Sequence, residues 1–385
     1  MREVAIVGIG STGFRPLTPE FSYKELMFEA AARAYQDADV DPRRDIDVFI
    51  TCAEDYWEGF SIFDEFVPDQ LGAALRHLFT VSADGLFGLA TAYMLIKTGQ
   101  FETAVVEAHS KASDMLTYES IVSFALDPVF NRPLGGHPYY IAGLEMTRYL
   151  HETKTTKEQC AQVVVKNKQN ALYNPDAAYA ANITIDQVLI SEPYCYPLNR
   201  LDVSPLADGC IVMVLASENM AKKLTDRPVW IKGVGWCTDT PSLETRNWVE
   251  AVYTRLAAEM AYKKARIHNP LREIDFAEID DKFSFKELQH LEALNFCSYG
   301  EAGRLTEEGI TAIDGELPVN VSGGLLGMGY PLEASGLQKT YEAVLQLRGE
   351  AGQRQLPDVE TGLVQSWRGI PTTTGAVAIL STNGE

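Results

Sequence analysis

Cysteine is scarce and scattered in this chain. The six residues, Cys52, Cys160, Cys195, Cys210, Cys237 and Cys297, never fall as Cys-x-x-Cys. That pattern speaks for reduced thiols in a cytoplasm and against a structural zinc site. Histidine is equally sparse, with six residues and no His-x-x-x-His spacing, so metal catalysis by this chain alone is not expected. No apolar run approaches the length that spans a bilayer. The first residues, Met-Arg-Glu-Val-Ala-Ile-Val-Gly, enter a strand pattern without the layout of a signal peptide. Bases are outnumbered, 33 against 53 acids, for a formal charge of −20. A surface of that sign repels phosphate backbones and anionic lipid, so neither nucleic acid nor a membrane is an expected partner. A local basic entrance for an anionic cofactor remains compatible with it.

What is present is an ordinary globular composition, 46% apolar and 22% charged over 385 residues. That length allows two or three domains or one large duplicated unit. The densest chemical signal is Asn320 to Gly336, Asn-Val-Ser-Gly-Gly-Leu-Leu-Gly-Met-Gly-Tyr-Pro-Leu-Glu-Ala-Ser-Gly, with five glycines ahead of a helix-period run, Leu337 to Leu347. Glycines this dense let backbone approach a ligand or take φ > 0. A helix starting behind them aims its free N–H groups at the same spot. A connection that only turns the chain has the same composition.

Taken in order, Val4 to Gly10 reads as a buried strand ending Gly-Ile-Gly. The pattern Gly8-x-Gly10-x-x-Gly13 lacks a following helix start, because Phe14, Arg15 and Pro16 come next, so a dinucleotide site is not expected. A helix over 23–37, a strand over 46–52, an irregular excursion or short helix over 53–80, a small-residue turn at Ser82, an apolar helix over 86–97 and a strand over 103–108 follow. From 111 to about 199 aromatics and helix-type spacing increase, most clearly over 144–151 and 157–172. Asp208 to Ser217 returns to buried-strand character. The order then repeats: Val229-Trp-Ile-Lys-Gly-Val-Gly echoes Val4-Ala-Ile-Val-Gly-Ile-Gly, a helix spans 248–265 and a strand 274–280. The glycine-rich stretch takes the place of the Ser82 turn and its helix, Gly362 to Trp367 matches 103–108, and Gly375 to Ser381 matches 209–217. Matched elements in matched order indicate a duplicated α/β unit.

With that duplication, the chain resembles the thiolase superfamily over essentially its whole length. It is most similar to sterol-carrier-protein-type and archaeal-type thiolases and, in site pattern, to the thiolase-fold steroid side-chain aldolases. Asn320, Gly323, Gly324, Gly329, Pro331, Ala334, Ser335 and Gly336 fit the family's Asn-x-x-Gly-Gly-x-x-x-x-Gly-His-Pro-x-Gly-Ala-(Ser/Thr)-Gly motif. The resemblance implies an α/β thiolase fold, two βαβαβαββ halves in an αβαβα layering with an inserted loop region. Residues 1–110 plus 200–227 would form the N-terminal half, 111–199 the insertion and 228–385 the C-terminal half. It also implies a coenzyme A thioester as substrate, no cofactor held by the chain itself, a homodimer, and a small OB-fold/zinc-ribbon partner subunit.

The catalytic positions depart from the family. Its nucleophilic cysteine, in a Cys-x-x-Gly turn, corresponds to Ser82 here; its Gly-His-Pro histidine corresponds to Tyr330; its next site motif reads Asp280-Asp281-Lys282-Phe283. No cysteine follows Cys297, and the region of the last catalytic cysteine reads Trp367-Arg368-Gly369-Ile370-Pro371. Serine is not ionised near neutral pH and needs a strong base beside it, so thiolysis through an acyl-enzyme is not expected. Ser82 reads either as a turn filler or as an acyl-transfer nucleophile. The family's aldolases lack the nucleophile and carry tyrosine where thiolases have the histidine, the place of Tyr330. The resemblance therefore implies retro-aldol or aldol chemistry on a β-hydroxyacyl-CoA, with Tyr330 as base or proton donor and Asp280 or Asp281 as acid/base. Either aspartate is equally readable as an ion-pair partner of Lys282 or Arg272. Gly323, Gly324, Gly329, Ser335 and Gly369, with His137 and Tyr140 of the insertion, are the candidate substrate and CoA contacts. A non-catalytic subunit of a heteromeric acyl-CoA enzyme and an acyltransferase using Ser82 are the alternative functions.

Overall fold

The structure, a computed structural model, describes residues 2–54, 62–240 and 242–384. Eleven strands occur in chain order among them: β1 (Val4–Ser11), β2 (Val48–Cys52), β3 (His77–Val81), β4 (Thr103–Ser110), β5 (Pro193–Cys195), β6 (Leu198–Asn199), β7 (Gly209–Ser217), β8 (Val229–Thr238), β9 (Phe276–Glu278), β10 (Thr361–Trp367) and β11 (Thr374–Ser381). Nine form one sheet in the order β3-β2-β4-β7-β1-β8-β11-β10-β9, and β5 and β6 pair separately in the insertion. About the β1–β8 contact β7, β4 and β2 mirror β11, β10 and β9, and the place opposite β3 is taken by a single bridge at Val319. On each side the strands run parallel at the outside, β3 with β2 with β4 and Val319 with β9 with β10, and antiparallel towards the centre. Even the irregularities repeat. The fourth residue of each repeat, Val7 in β1 and Lys232 in β8, is the one skipped in the ladder.

The repeated Gly-x-Gly ending has one physical cause in both halves. A Cβ on Gly10 would stand 2.1 Å from the carbonyl oxygen of Ala30, and one on Gly235 would stand 2.1 Å from that of Ala257. Helices Tyr23–Ala38 and Val252–Ala265 therefore lie directly on the strands. Gly8 and Gly233 make the same close approach to Ala34 and Ala261. These glycines pack strand against helix.

Alternation then builds the layers. Val4 and Ile6 enter a central core, while Ala5 and Val7 face an outer one beneath helix Tyr23–Ala38. Helices Gly85–Lys97 and Ser335–Arg348 share the central core, and the first is apolar nearly all round, as burial between two β layers requires. The insertion contributes helices Tyr118–Phe124, Tyr140–Thr153 and Lys157–Asn170. Their Ile141, Met146, Tyr149, Val163 and Val164 join Phe285, Leu288 and Leu291 in one cluster, so the insertion is bedded on the C-terminal half.

Two expectations need correcting. The stretch 53–80, where 55–61 lie outside the described residues, holds short helices Phe63–Phe66 and Pro68–Leu71 and then the edge strand β3. The second-half helix begins at Val252 instead of residue 248. No helix among the described residues is long and apolar enough to cross a membrane.

Candidate active site

A cavity of about 740 Å³ opens between Glu54 and Asp84, the helix Tyr118–Phe124 and the segments that carry Lys282, Tyr330 and Gly369. Its apolar wall comes from Ile121, Val122, Phe124 and Ala125 of the insertion and Ile370 and Pro371 of the C-terminal half. Its polar groups are Asp84, Glu54, Tyr118, Lys282, Tyr330, Glu333 and Arg368, with Arg368 paired to Glu54. None of the six cysteines lines it among the described residues. Burial pushes the Cys52, Cys160 and Cys210 thiols well up, so these behave as core side chains.

Tyr330 reaches this cavity from a clamped backbone. Its N–H donates to Pro205 O at 2.7 Å and its carbonyl accepts from Ala207 N at 3.0 Å. The residue is 4% exposed. Burial first, then Glu333, Tyr139 and Asp280, pushes its phenol well above the usual value, so the hydroxyl keeps its proton at neutral pH. The Lys282 Nζ lies 3.9 Å from the centre of the Tyr330 ring and 3.0 Å from Tyr118 Oη. A Cβ on Gly369, whose φ is +97°, would stand 2.9 Å from Lys282 Nζ and 3.4 Å from Tyr330 Oη. Glycine there leaves room for both heads.

The other glycines of the signature stretch face protein. Gly323 abuts Ala171, Gly324 the Asp281 carboxylate and Gly329 Ala207; an added Cβ would come within 2.6 Å of each. All three are buried, and none lines the cavity. The helix behind them does not aim free N–H groups at a ligand either. The Asp84 carboxylate accepts from Ser335 Oγ at 2.7 Å and Gly336 N at 2.8 Å while also bonding Leu86 N at 2.9 Å. Ser335 is thus bonded to the cap of the partner helix, and one carboxylate serves both central helix N-termini.

Asp280 and Asp281 are fully buried behind the cavity and do not line it. Asp280 accepts from Lys282 N at 3.1 Å and lies 3.4 Å from Lys339 Nζ. Asp281 accepts from Leu325 N at 2.5 Å, Leu326 N at 3.2 Å and Asn167 at 2.8 Å. Burial, then Glu287, pushes its carboxyl up to about 7. Neither is the ion-pair partner of Lys282 or Arg272 that the sequence offered. Ser82 is exposed at the end of β3 and does not line the cavity. His137 lines a separate cleft of about 300 Å³, 2.8 Å from Glu119 and 3.1 Å from Tyr194 Oη. Tyr140 starts the next helix and lines neither space. The insertion does wall the main cavity, through Tyr118 and its helix. Of the candidates, Tyr330 and Gly369 come together; Lys282, Tyr118, Asp84 and Glu333 join them.

Lys282 is the group that sequence reasoning passed over, although it stands inside a motif already singled out. Burial pulls its amine down to about 7 against the opposing pull of Asp280, Glu54 and Glu333. Its signal was present only as the unusual lysine at the third position of Asp280-Asp281-Lys282-Phe283.

Matched strands on either side of the β1–β8 contact and two central helices that share one core define a duplicated α/β scaffold. Residues 235–382 match the family model described as Thiolase C-terminal domain-like. An acetyl-CoA acetyltransferase of Methanothermobacter thermautotrophicus is 32% identical over 389 residues, covering 99% of this chain and all of that protein. Human sterol carrier protein 2 is 30% identical, over 94% of this chain and 69% of that protein. The solved Ltp2-ChsH2(DUF35) aldolase superposes with a TM-score of 0.84 at 27% identity, covering 98% of this chain and 97% of that one. The chain belongs to the thiolase superfamily, as a protein of the sterol-carrier-protein-2 thiolase type.

Proposed function

We propose that the chain is an aldolase acting on a β-hydroxyacyl-CoA, cleaving or forming its Cα–Cβ bond without a covalent acyl-enzyme. The observation that supports this most directly is a cavity walled by apolar side chains that brings a protonated phenol and an amine together, with no thiol among the described lining residues. Retro-aldol cleavage needs the β-hydroxyl proton removed and the electrons of the breaking bond held on the thioester oxygen. It then needs a proton delivered to Cα. Tyr330 suits the last step, since a phenol pushed up by burial is a donor and a poor base. The likeness to the Ltp2-ChsH2(DUF35) aldolase points the same way. The relatives named acetyl-CoA acetyltransferases point to acyl transfer, for which Ser82, exposed outside the cavity, offers poor geometry. The same reading takes the chain as a cytoplasmic homodimer, for which β3 leaves a sheet edge open, working with a small OB-fold/zinc-ribbon subunit.

The test is incubation with a panel of β-hydroxyacyl-CoA esters, with and without that partner, followed by mass spectrometry. Release of an acyl-CoA and a carbonyl compound is expected, lost in Tyr330→Phe and kept in Ser82→Ala. An acyl adduct on Ser82 would replace this function with acyl transfer. Binding of CoA without turnover in any mixture would leave a non-catalytic subunit.

A further inference from the structure

Six lysines of this chain are buried, and five have structural duties. Lys111 pairs with Asp208 at 3.0 Å, Lys166 with Glu287 at 2.7 Å, Lys286 with Glu145 at 2.7 Å and Lys339 with Asp280 at 3.4 Å. Lys168 donates to the carbonyls of Tyr179 and Leu326 at 3.1 and 2.9 Å. Lys282 differs. It is 1% exposed, yet among the described residues neither a carboxylate at ion-pair distance nor a backbone carbonyl meets its Nζ, whose hydrogen-bond partner is the Tyr118 phenol at 3.0 Å. A buried amine without a carboxylate is costly to keep charged, and such groups cluster at reacting centres.

The position is fixed from behind. Lys282 N donates to Asp280 Oδ1 at 3.1 Å and its carbonyl accepts from Ser204 N at 2.9 Å. The next residue, Phe283, is fully buried with its ring 5.1 Å from Tyr139 and 6.1 Å from Trp367. The amine therefore emerges on one side only, into the cavity, over the Tyr330 ring and in the space that Gly369 vacates. On the aldolase reading, we propose that Lys282 is the general base of the reaction, taking the β-hydroxyl proton while Tyr330 delivers a proton to Cα.

The step balances within the site. The β-hydroxyl proton moves to the lysine nitrogen, the Cβ–O bond becomes a carbonyl, and the Cα–Cβ pair moves onto the thioester enolate. The Tyr330 hydroxyl protonates Cα, and the lysine ammonium returns its proton to the phenolate beside it. Neither oxidant nor co-reactant is consumed. The ionisable groups facing the amine are Tyr118 and Tyr139 of the insertion, Tyr330 and Glu333 of the signature stretch, Asp280 of its own segment and Glu54 of the N-terminal half. The carboxylates favour the ammonium, and burial outweighs them, leaving free amine available near pH 7. That poise matches a base that must both take and return a proton.

The pH dependence of kcat/KM, measured with whichever β-hydroxyacyl-CoA the wild type cleaves, should rise through an acidic limb centred near 7. Lys282→Ala should lower kcat by about 10²- to 10⁴-fold and abolish the limb. Ethylamine should restore turnover to Lys282→Ala in proportion to its free-base concentration, which a packing role would not produce. Lys282→Arg keeps a cation that cannot give up its proton, so it should be as impaired as Lys282→Ala. Turnover within about tenfold of wild type in Lys282→Ala, or full activity in Lys282→Arg, would overturn the base role and leave the aldolase intact. Should the variants fail to fold, NMR titration of the reductively ¹³C-methylated wild type replaces them: a Lys282 amine still protonated at about pH 9 overturns the proposal. A wild type that cleaves no β-hydroxyacyl-CoA overturns the aldolase reading and the base role with it.

Discussion

Replacing Asp84 by alanine should uncouple the two central helices. Its carboxylate is 2% exposed and accepts bonds from Leu86 N, Ser335 Oγ and Gly336 N at 2.9, 2.7 and 2.8 Å. Each lost bond to a charged acceptor is worth about 1.5–3 kcal/mol, and each buried donor left bare costs about 1–3 kcal/mol. Two effects reduce the sum. Burial raises the Asp84 carboxyl above its usual range, so its removal also relieves a desolvation cost, and Asp84 borders the cavity, so water can reach the bared donors. The expected net loss is about 3 kcal/mol. Ser335→Ala alone should cost about 1 kcal/mol, and nearly nothing in an Asp84→Ala background, giving a coupling of about 1 kcal/mol in the double-mutant cycle. Urea midpoints at unchanged m-value measure the losses, and faster exchange of the Leu86 and Gly336 amides locates them. A loss in Asp84→Ala below about 0.5 kcal/mol, or strictly additive single losses, would refute the shared cap.

Gly10→Ala and Gly235→Ala should destabilise by similar amounts, about 3 kcal/mol or more each, because each new Cβ meets a helix carbonyl at 2.1 Å; a urea midpoint unmoved in either would deny the close packing. Burial, then Glu342, pushes the Glu278 carboxyl up to about 8. A carboxyl raised in the folded state binds its proton there more tightly than in the unfolded chain, so its contribution is present at low pH and lost as pH rises to about 8. Stability should therefore fall over that range and fall less in Glu278→Gln, read from urea midpoints at each pH. Tyr330→Phe should lower kcat about 10²-fold or more with CoA-thioester affinity nearly unchanged, measured by turnover and isothermal titration.

The duplication is legible in the sequence because each strand buried on both faces shows as an unbroken apolar run, and the Gly-x-Gly ending recurs wherever a helix carbonyl crosses the strand. The edge strand β3 escaped notice for the opposite reason. His77 is exposed and its neighbours are half-buried, so neither an apolar run nor a clean alternation marks it. The Asn320–Gly336 stretch was recognisable as a site element, but the purpose of its glycines was not. Whether a glycine faces a ligand or protein depends on partners such as Ala171, Ala207 or Asp84, which are remote in sequence. Lys282 was hidden by its neighbours. Two adjacent aspartates suggest an ion pair, yet Asp281 turns to the helix N-terminus at Leu325, Asp280 lies by Lys339, and the amine is left to the cavity.

The division of labour between the halves ties the lost cysteines to the gained amine. In the cavity the N-terminal half presents Asp84, whose carboxylate is already committed to three donors, and Glu54, paired with Arg368. Ser82, in the position of the family nucleophile, is exposed outside the cavity. An acyl-enzyme would need a nucleophile, and among the described residues that half presents no thiol or serine hydroxyl to the cavity. Tyr330, Lys282 and Glu333 come from the C-terminal half, with Tyr118 beside the amine. A phenol that keeps its proton and an amine that readily loses one can move protons to and from a bound thioester. On the proposed aldolase reading, cleavage of a carbon–carbon bond assisted by these two proton carriers needs no thiolate, so the missing cysteines and the buried amine fit one chemistry.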